Sequence, residues 1–247
     1  MNVACFADQV NRTRLDIAAS THLAANVSVV IAAKQEAPSL GGVLERARRY
    51  ASAIVVVVGP STDGTAEVAA GNGARVMADG GVGKGEAIRR AIPLIETEVA
   101  VFLDADGSHD PEDIPLLVGP ILAGEADHVA ASRLRGGSSE LHGGFDEFLR
   151  LAGSSFITAC INRRFNCQLS DSQNGFRAIR TSVLRQLDLR ENTTTIEQEM
   201  TIKTLRGGWR MTEVPSHEHR RLHGTSHIRV LRQSPRYGYS LVKHLFF

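Results

Sequence analysis

The stretch 99-VAVFLDADGSHDPED-113 sets five apolar residues directly before two carboxylates. A short, unbroken apolar run of this kind predicts a strand buried on both faces, as in a parallel sheet. Asp104 and Asp106 would then stand at the carboxyl end of that strand, where open α/β sheets bind their ligands. Two hard oxygen donors one residue apart suit Mg²⁺ or Mn²⁺, which can bridge the phosphates of a diphosphate ligand. The plainer alternative is a solvated acidic turn. Asp110-Pro111-Glu112-Asp113 reads as a helix start, with Asp110 as N-cap, Pro111 at the first helical position and acids placed on the helix dipole.

On the N-terminal side the same language repeats. Val27 to Ala33 and Ile54 to Val58 are further apolar runs, the second made of five β-branched residues in succession. Ala74 to Met77 reads as a shorter strand. Between them the pattern predicts helices from Pro38 and Ser39 through Tyr50, over Thr65 to Ala70, and over Glu86 to Ile95 despite Pro93. Strands alternating with helices imply an α/β fold with an open, mostly parallel sheet and helices on both faces. Ligands are expected at the loops after Ile31, Val58, Met77 and Leu103. The second half is less regular. A helix is expected around Phe148 to Ile161 and another from Glu197 to Leu205, with paired glycines at Gly136-Gly137 and Gly143-Gly144 flanking a loop. No internal repeat, low-complexity tract or linker divides the chain, so residues 1–24 read as a lead-in and 25–247 as one domain.

With 43% hydrophobic and 22% charged residues among 247, the chain can bury the core that such a domain needs. A net charge of +1 provides no field for nucleic acid, which is excluded as a partner; anions would have to be met by local clusters of Arg and Lys. Cys5, Cys160 and Cys167 are odd in number and lack metal-ligand spacing, and the N-terminus lacks a secretory pattern. A cytoplasmic setting is the expectation. No apolar run approaches the ~20 residues that span a bilayer. The tail Tyr239 to Phe247, with five apolar residues around Lys243 and His244, could touch a membrane surface or pack as an ordinary terminal helix; its shortness favours packing.

Two loops add weaker signals. Ser61-Thr62-Asp63-Gly64-Thr65 caps a helix and turns backbone N–H groups toward the ligand edge; taken alone it is mostly a capping turn, with Ser61 the residue expected to meet a nucleotide. Gly80-Gly81-Val82-Gly83-Lys84-Gly85 can approach a nucleotide closely but lacks P-loop spacing.

Taken in order, VSVVIAAKQEA (27–37), VVGPSTDGT (57–65), GKGEA (83–87), DADGSHDPEDI (104–114), AASR (130–133), SDSQNGFRA (170–178) and RLHGTS (221–226) resemble a family 2 glycosyltransferase of the GT-A, Rossmann-like fold. The nearest type is the dolichyl-phosphate mannose synthases and other polyprenyl-phosphate glycosyltransferases. The resemblance implies a nucleotide-binding half (25–135) and an acceptor half (136–247). It further implies that Ala32, Ala33 and Glu36 line the nucleoside pocket with Lys84 nearby, and that Asp104 and Asp106 hold the metal and diphosphate of a UDP- or GDP-sugar. Arg133, Arg221 and Ser226 would bind an acceptor phosphate, for which a guanidinium fork is well suited. Glu199 matches the position from which many members draw a general base. Basic loop composition is the favoured account of His217, His219, His223 and His227; the alternative implied by the resemblance is that His217 or His219 completes the metal shell, as a C-terminal His does in glucosyl-phosphoglycerate synthases. The sequence departs from the pattern at Val58, where an acid usually reads the base, at Ala32, at Lys34-Gln35, and at Ser108, where a metal-contacting Gln is common.

The expected reaction is transfer of a sugar to an acceptor phosphate, lipid-borne in the nearest relatives, with inversion. A soluble enzyme acting on a small phosphorylated acid or a hydroxyl, with inversion or retention, is the alternative. A sugar-nucleotide pyrophosphorylase is disfavoured because 32-AAKQE-36 is not a Gly-rich loop with Arg. A noncatalytic nucleotide-sugar-binding protein is disfavoured because both aspartates are present.

Overall fold

The computed structural model describes residues 21–139, 145–223 and 230–246. A short helix α1 (Thr21–Ala25) leads into β1 (Val27–Ala33), followed by α2 (Ala37–Ala47), β2 (Ala53–Val58), α3 (Thr65–Gly71), β3 (Arg75–Ala78), α4 (Lys84–Ala91) and β4 (Val99–Asp104). Then come α5 (Ile114–Leu122), β5 (His128–Ser132), α6 (Arg133–Gly136), α7 (Phe145–Phe165), β6 (Arg177–Arg180), α8 (Thr181–Gln186), α9 (Ile196–Arg206), β7 (Met211–Pro215) and α10 (Val230–Phe246).

The strands form one sheet in the order β3-β2-β1-β4-β6-β5-β7. β1 pairs in parallel with β2 and β4, and β2 with β3, whereas β6 runs antiparallel to both neighbours. The expected open, mostly parallel sheet is therefore present. Its central strands are covered on both faces: Val29, Ile31, Val56, Val101 and Leu103 face one core, and Val30, Val55, Val57, Ala100 and Phe102 the other. Such double burial is why these strands read as continuous apolar runs.

Boundaries follow local chemistry. The helix opening at Ala37 ends in a 3₁₀ turn over Arg48–Tyr50, and the one containing Pro93 stops at Ala91, with Ile92–Leu94 continuing as a 3₁₀ turn, because proline has no N–H to extend the ladder. Asp110 caps the 3₁₀ turn Pro111–Asp113 by accepting from the Glu112 N–H at 2.9 Å. The expected helices at 148–161 and 197–205 are α7 and α9. Strands β5, β6 and β7 were absent from the sequence reading.

Candidate active site

The carboxyl ends of β1, β2 and β4 meet as one edge, since Ala32 pairs with Val57 on one side and with Asp104 on the other. Here the chain leaves β1 through Gln35, held at φ +57°. Its N–H donates to Ser61 Oγ (3.0 Å), and the Glu36 N–H donates to Thr65 Oγ1 (3.0 Å). Asp63 accepts from the Ala37 N–H at 3.0 Å, so the turn after β2 caps the helix after β1. Ala32, Ala33, Glu36 and Ser61 thus share one shelf. Burial pushes the Glu36 carboxyl up; the Ser39 hydroxyl, at 3.1 Å, opposes that, and the Asp106 charge adds to it.

Next to the shelf stand the two aspartates. Lys84 Nζ lies 2.6 Å from Asp104 Oδ1 and 2.7 Å from Glu197 Oε1. Burial alone would raise the Asp104 carboxyl and lower the Lys84 ammonium; their mutual attraction outweighs it, holding Asp104 well below the ordinary carboxylate range and Lys84 above its own. Asp106 accepts from Ser108 N (2.9 Å) and Oγ (2.6 Å), and its other oxygen meets Arg221 Nη2 at 3.1 Å. Ser108 therefore braces a carboxylate. His109 stacks on Phe176 with ring centroids 5.2 Å apart and places Nδ1 4.0 Å from Asp104 Oδ2. Gly175 permits the crowding, because a Cβ there would lie 2.8 Å from Lys84 Nζ and 3.1 Å from Asp104 Oδ2.

The donor set fits a divalent cation. Two hard carboxylates at one edge have their charge balanced by Lys84 and Arg221, the balance a divalent ion would supply. Among the described residues no three His, Cys, Asp or Glu side chains converge, so His219 does not complete a three-ligand group. Its N–H instead donates to the Ser108 carbonyl (2.8 Å), and its ring meets His217 edge-on at 4.9 Å.

Helix α9 brings a different glutamate to the site from the one its motif suggests. Glu199 is fully buried and accepts from the Arg190 and Glu191 N–H groups (2.9 and 2.7 Å) and from Lys203 Nζ (2.8 Å). These bonds tie both oxygens of the expected general base to the loop before α9 and to Lys203. Glu197 faces Lys84 instead. The backbone of the same loop supports Lys84 from behind: the Asn192 carbonyl accepts from the Gly85 and Glu86 N–H groups at 2.9 and 3.2 Å.

Arg133 is also placed differently. Its fork engages Asp171, Nε to Oδ2 at 2.6 Å and Nη2 to Oδ1 at 2.9 Å, and Nη1 is 3.4 Å from Glu218. The bidentate position expected for an acceptor phosphate is thus filled by a carboxylate of the protein. Arg133 still borders a cavity of about 350 Å³, lined mainly by apolar atoms of α7 and α10, with Arg150, Gln173 and Tyr237 among its polar groups. Arg221 reaches Asp106 from the loop whose Ser226 lies outside the described residues. Glu197, His109, Gly175 and Asn192 were missed as site residues; only Glu197 carried a legible signal, as an acid at the head of a predicted helix.

Residues 28–188 match the family model described as "Glycosyl transferase family 2". The chain is 29% identical over 192 residues to the glycosyltransferase AglJ of Haloferax volcanii, covering 77% of this chain and 62% of that one. To the low-salt glycan biosynthesis hexosyltransferase Agl6 of the same organism it is 32% identical over 134 residues, or 54% and 32% of the two chains. To that organism's dolichyl-phosphate hexose transferase it is 29% identical over 192 residues, covering 77% and 81%. The chain thus spans less than two thirds of the first two relatives. In fold it resembles glucosyl-3-phosphoglycerate synthase from Mycobacterium tuberculosis, solved with Mn²⁺, UDP-glucose and phosphoglyceric acid, with a TM-score of 0.73 at 22% identity over 96% of this chain and 83% of that one. Matched over well more than half its length, the chain belongs to glycosyl transferase family 2.

Proposed function

We propose that the protein transfers a sugar from a nucleotide diphosphate donor, a UDP- or GDP-sugar, to an acceptor that bears a phosphate, using Mg²⁺ or Mn²⁺. The observation that carries this reading is the pair Asp104 and Asp106 at the end of β4, charge-balanced by Lys84 and Arg221 beside the shelf formed by Ala32, Ala33, Glu36 and Ser61. Asp104 and Asp106 would hold the ion, with diphosphate oxygens and water as its other ligands, and the ion would stabilise charge on the departing diphosphate. Residues 25–135 serve the donor and 136–247 the acceptor. Relatives named for hexosyl and dolichyl-phosphate hexose transfer support a sugar donor and a phosphate-bearing acceptor.

The burial of Glu199 bears on the acceptor. A sugar hydroxyl needs a base to take its proton, whereas a phosphate is already anionic at neutral pH. With Glu199 committed to backbone N–H groups, a phosphate nucleophile needs the least from this protein. Arg150 and Arg221 would supply positive charge around it, with Arg133 beside the cavity already paired to Asp171, and attack opposite the diphosphate would give inversion. The apolar cavity suits an acceptor with a hydrocarbon body. No helix among the described residues is long and apolar enough to cross a membrane. The exposed faces of α7 and α10 instead offer Phe148, Phe156, Tyr239, Val242 and Phe246 for peripheral contact. A small phosphorylated acid is the second reading, favoured by the phosphoglyceric acid held in the solved relative.

A thermal-shift screen against UDP-, GDP- and dTDP-sugars, with and without Mn²⁺, tests the donor site, because a ligand bound only to the native state raises Tm. One nucleotide is expected to give a metal-dependent rise that Asp106→Ala abolishes. No rise with any donor would leave a noncatalytic binding protein of unknown ligand.

A further inference from the structure

Asp79 stands just beyond the end of β3, one strand out from the nucleoside shelf, and its setting is built around one glycine. Gly59 donates its N–H to the Ala33 carbonyl (2.8 Å) and accepts from Ser61 Oγ (2.9 Å), so two shelf residues hold it. A Cβ at Gly59 would lie 3.2 Å from Asp79 Oδ2 and 3.3 Å from Lys34 Cβ. The Asp79 carboxylate therefore overhangs the shelf. It is fixed from two sides: the Asp79 N–H extends the β2–β3 pairing by donating to the Val58 carbonyl (2.9 Å), and Oδ1 accepts from the Gly81 N–H (2.7 Å). The Gly80 N–H is held in turn by Glu86 Oε2 (2.9 Å). Oδ2 accepts from no group among the described residues, and Asp79 is only half-buried, so that oxygen is open to a ligand.

The order of strands says which part of a donor arrives there. From β4 the edge runs outward through β1 and β2 to β3. With the diphosphate at the β4 aspartates, the far end of a nucleotide, its base, lies toward β2 and β3. Val58, which ends β2, is 8% exposed and offers the base no polar side chain. An open carboxylate oxygen accepts and does not donate. Uracil and thymine present one ring N–H between two carbonyls, which matches a single open oxygen. Cytosine and adenine set an unprotonated ring nitrogen beside their amino group, and a carboxylate repels it. Guanine sets a ring N–H beside an amino group, a pair that calls for both carboxylate oxygens, and Gly81 already holds one. Lys34, whose stem flanks the same glycine, carries a donor suited to the neighbouring carbonyl.

We infer that Asp79 reads the base of the donor, accepting a hydrogen bond at Oδ2 from the ring N–H of uracil or thymine. The inference rests on the glycosyl-transfer reading and narrows its donor to a UDP- or dTDP-sugar. Three residues divide the task. Gly81 keeps the carboxylate aimed, Gly59 leaves the approach clear, and Asp79 supplies the acceptor. A site that holds an acceptor ready for one N–H discriminates most against a base that lacks it, because the carboxylate is then left without its donor.

The test is calorimetric titration, in the presence of Mn²⁺, of UDP, dTDP, CDP, GDP and N3-methyl-UDP into the unaltered protein, Asp79→Asn and Asp79→Ala. The unaltered protein is expected to bind UDP or dTDP ~10- to 100-fold more tightly than CDP, GDP or N3-methyl-UDP, as fits a hydrogen bond to a charged group. The UDP and dTDP arms tell the two imide bases apart. Asp79→Asn, which can still accept from the Gly81 N–H, should lose the preference for UDP over CDP. Asp79→Ala should bind UDP and N3-methyl-UDP alike. Should Asp79→Ala not fold, the selectivity of Asp79→Asn decides alone. Tighter binding of GDP than of UDP by the unaltered protein overturns the inference. So does an equal loss of affinity for all five ligands in the variants, which would leave Asp79 as a brace for the loop at 79–81. If the unaltered protein binds no nucleoside diphosphate, the glycosyl-transfer reading itself falls.

Discussion

Lys84 is the residue on which the charge balance of the site turns. It separates Asp104 from Glu197, and replacing it by a neutral side chain leaves two carboxylates facing each other in a half-buried space. Lys84→Met is expected to lower stability by roughly 3 kcal/mol in urea unfolding at neutral pH, the usual cost of removing one partner from a buried pair. The pH dependence follows from the sign of the Asp104 shift. Its carboxyl is held below its ordinary value near 3.8, so its contribution is present above that pH and lost as pH falls through the depressed native value. Lys84→Met should therefore flatten the acid limb of a Tm-against-pH curve. At this scale the sequence was partly legible. Both aspartates could be read because a strand runs straight into them. The choice between Glu197 and Glu199 could not, since two acids two residues apart on a helix point about 200° apart and only the loop at 190–192 decides which one turns inward.

Among the elements, the parallel half was legible because burial on both faces leaves unbroken apolar runs, and β1, β2 and β4 were placed to within a residue. β6 was hidden by its own composition. Arg177-Ala178-Ile179-Arg180 looks like a surface segment, yet Arg177 is 0% exposed and spends its guanidinium on the carbonyls of Ser172, Asn174 and Glu197. A buried arginine used this way stitches a loop to a helix, a role no local pattern announces. The C-terminal element has a similar hidden tie: Lys243 Nζ and His244 Nε2 meet Glu191 Oε1 at 2.9 and 3.0 Å. Burial would raise the Glu191 carboxyl, but these donors with Thr195 bring it down to about 2, from an ordinary 4.5. Its stabilisation is thus full above pH 4.5 and fades toward pH 2. Glu191→Gln should lower Tm at pH 7 and bring the two proteins together near pH 2, as followed by circular dichroism. At the neighbouring helix start, Gly85→Ala would set a Cβ 2.4 Å from the Glu191 carbonyl oxygen. A loss of ~1–3 kcal/mol is expected in urea unfolding, typical of overpacking against backbone.

Seen whole, the molecule is lopsided in its surface. Tyr239, Val242 and Phe246 on α10 are 71%, 53% and 69% exposed, and Phe148 and Phe156 on α7 are exposed as well. These two helices also line the apolar cavity, and Arg150, Arg163, Arg164 and Arg236 lie on them. The inner residues Leu241 and Leu245 pack as an ordinary terminal helix would, and the outer ones do not. Vesicles containing anionic lipid should co-sediment the protein, uncharged vesicles much less, and Phe156→Ser with Val242→Ser should abolish binding without lowering Tm.

The bond from the Asn192 carbonyl to the Gly85 and Glu86 N–H groups reaches across more than a hundred positions of sequence, and its loop is pinned in turn by Lys243 and His244. On the ribosome, the four parallel strands emerge early, long before the residues that steady Lys84. A nascent chain can therefore pair the parallel half of its sheet before the contacts that steady Lys84 exist. The support behind Lys84 is thus complete only once residues as far along as Lys243 and His244 are in place.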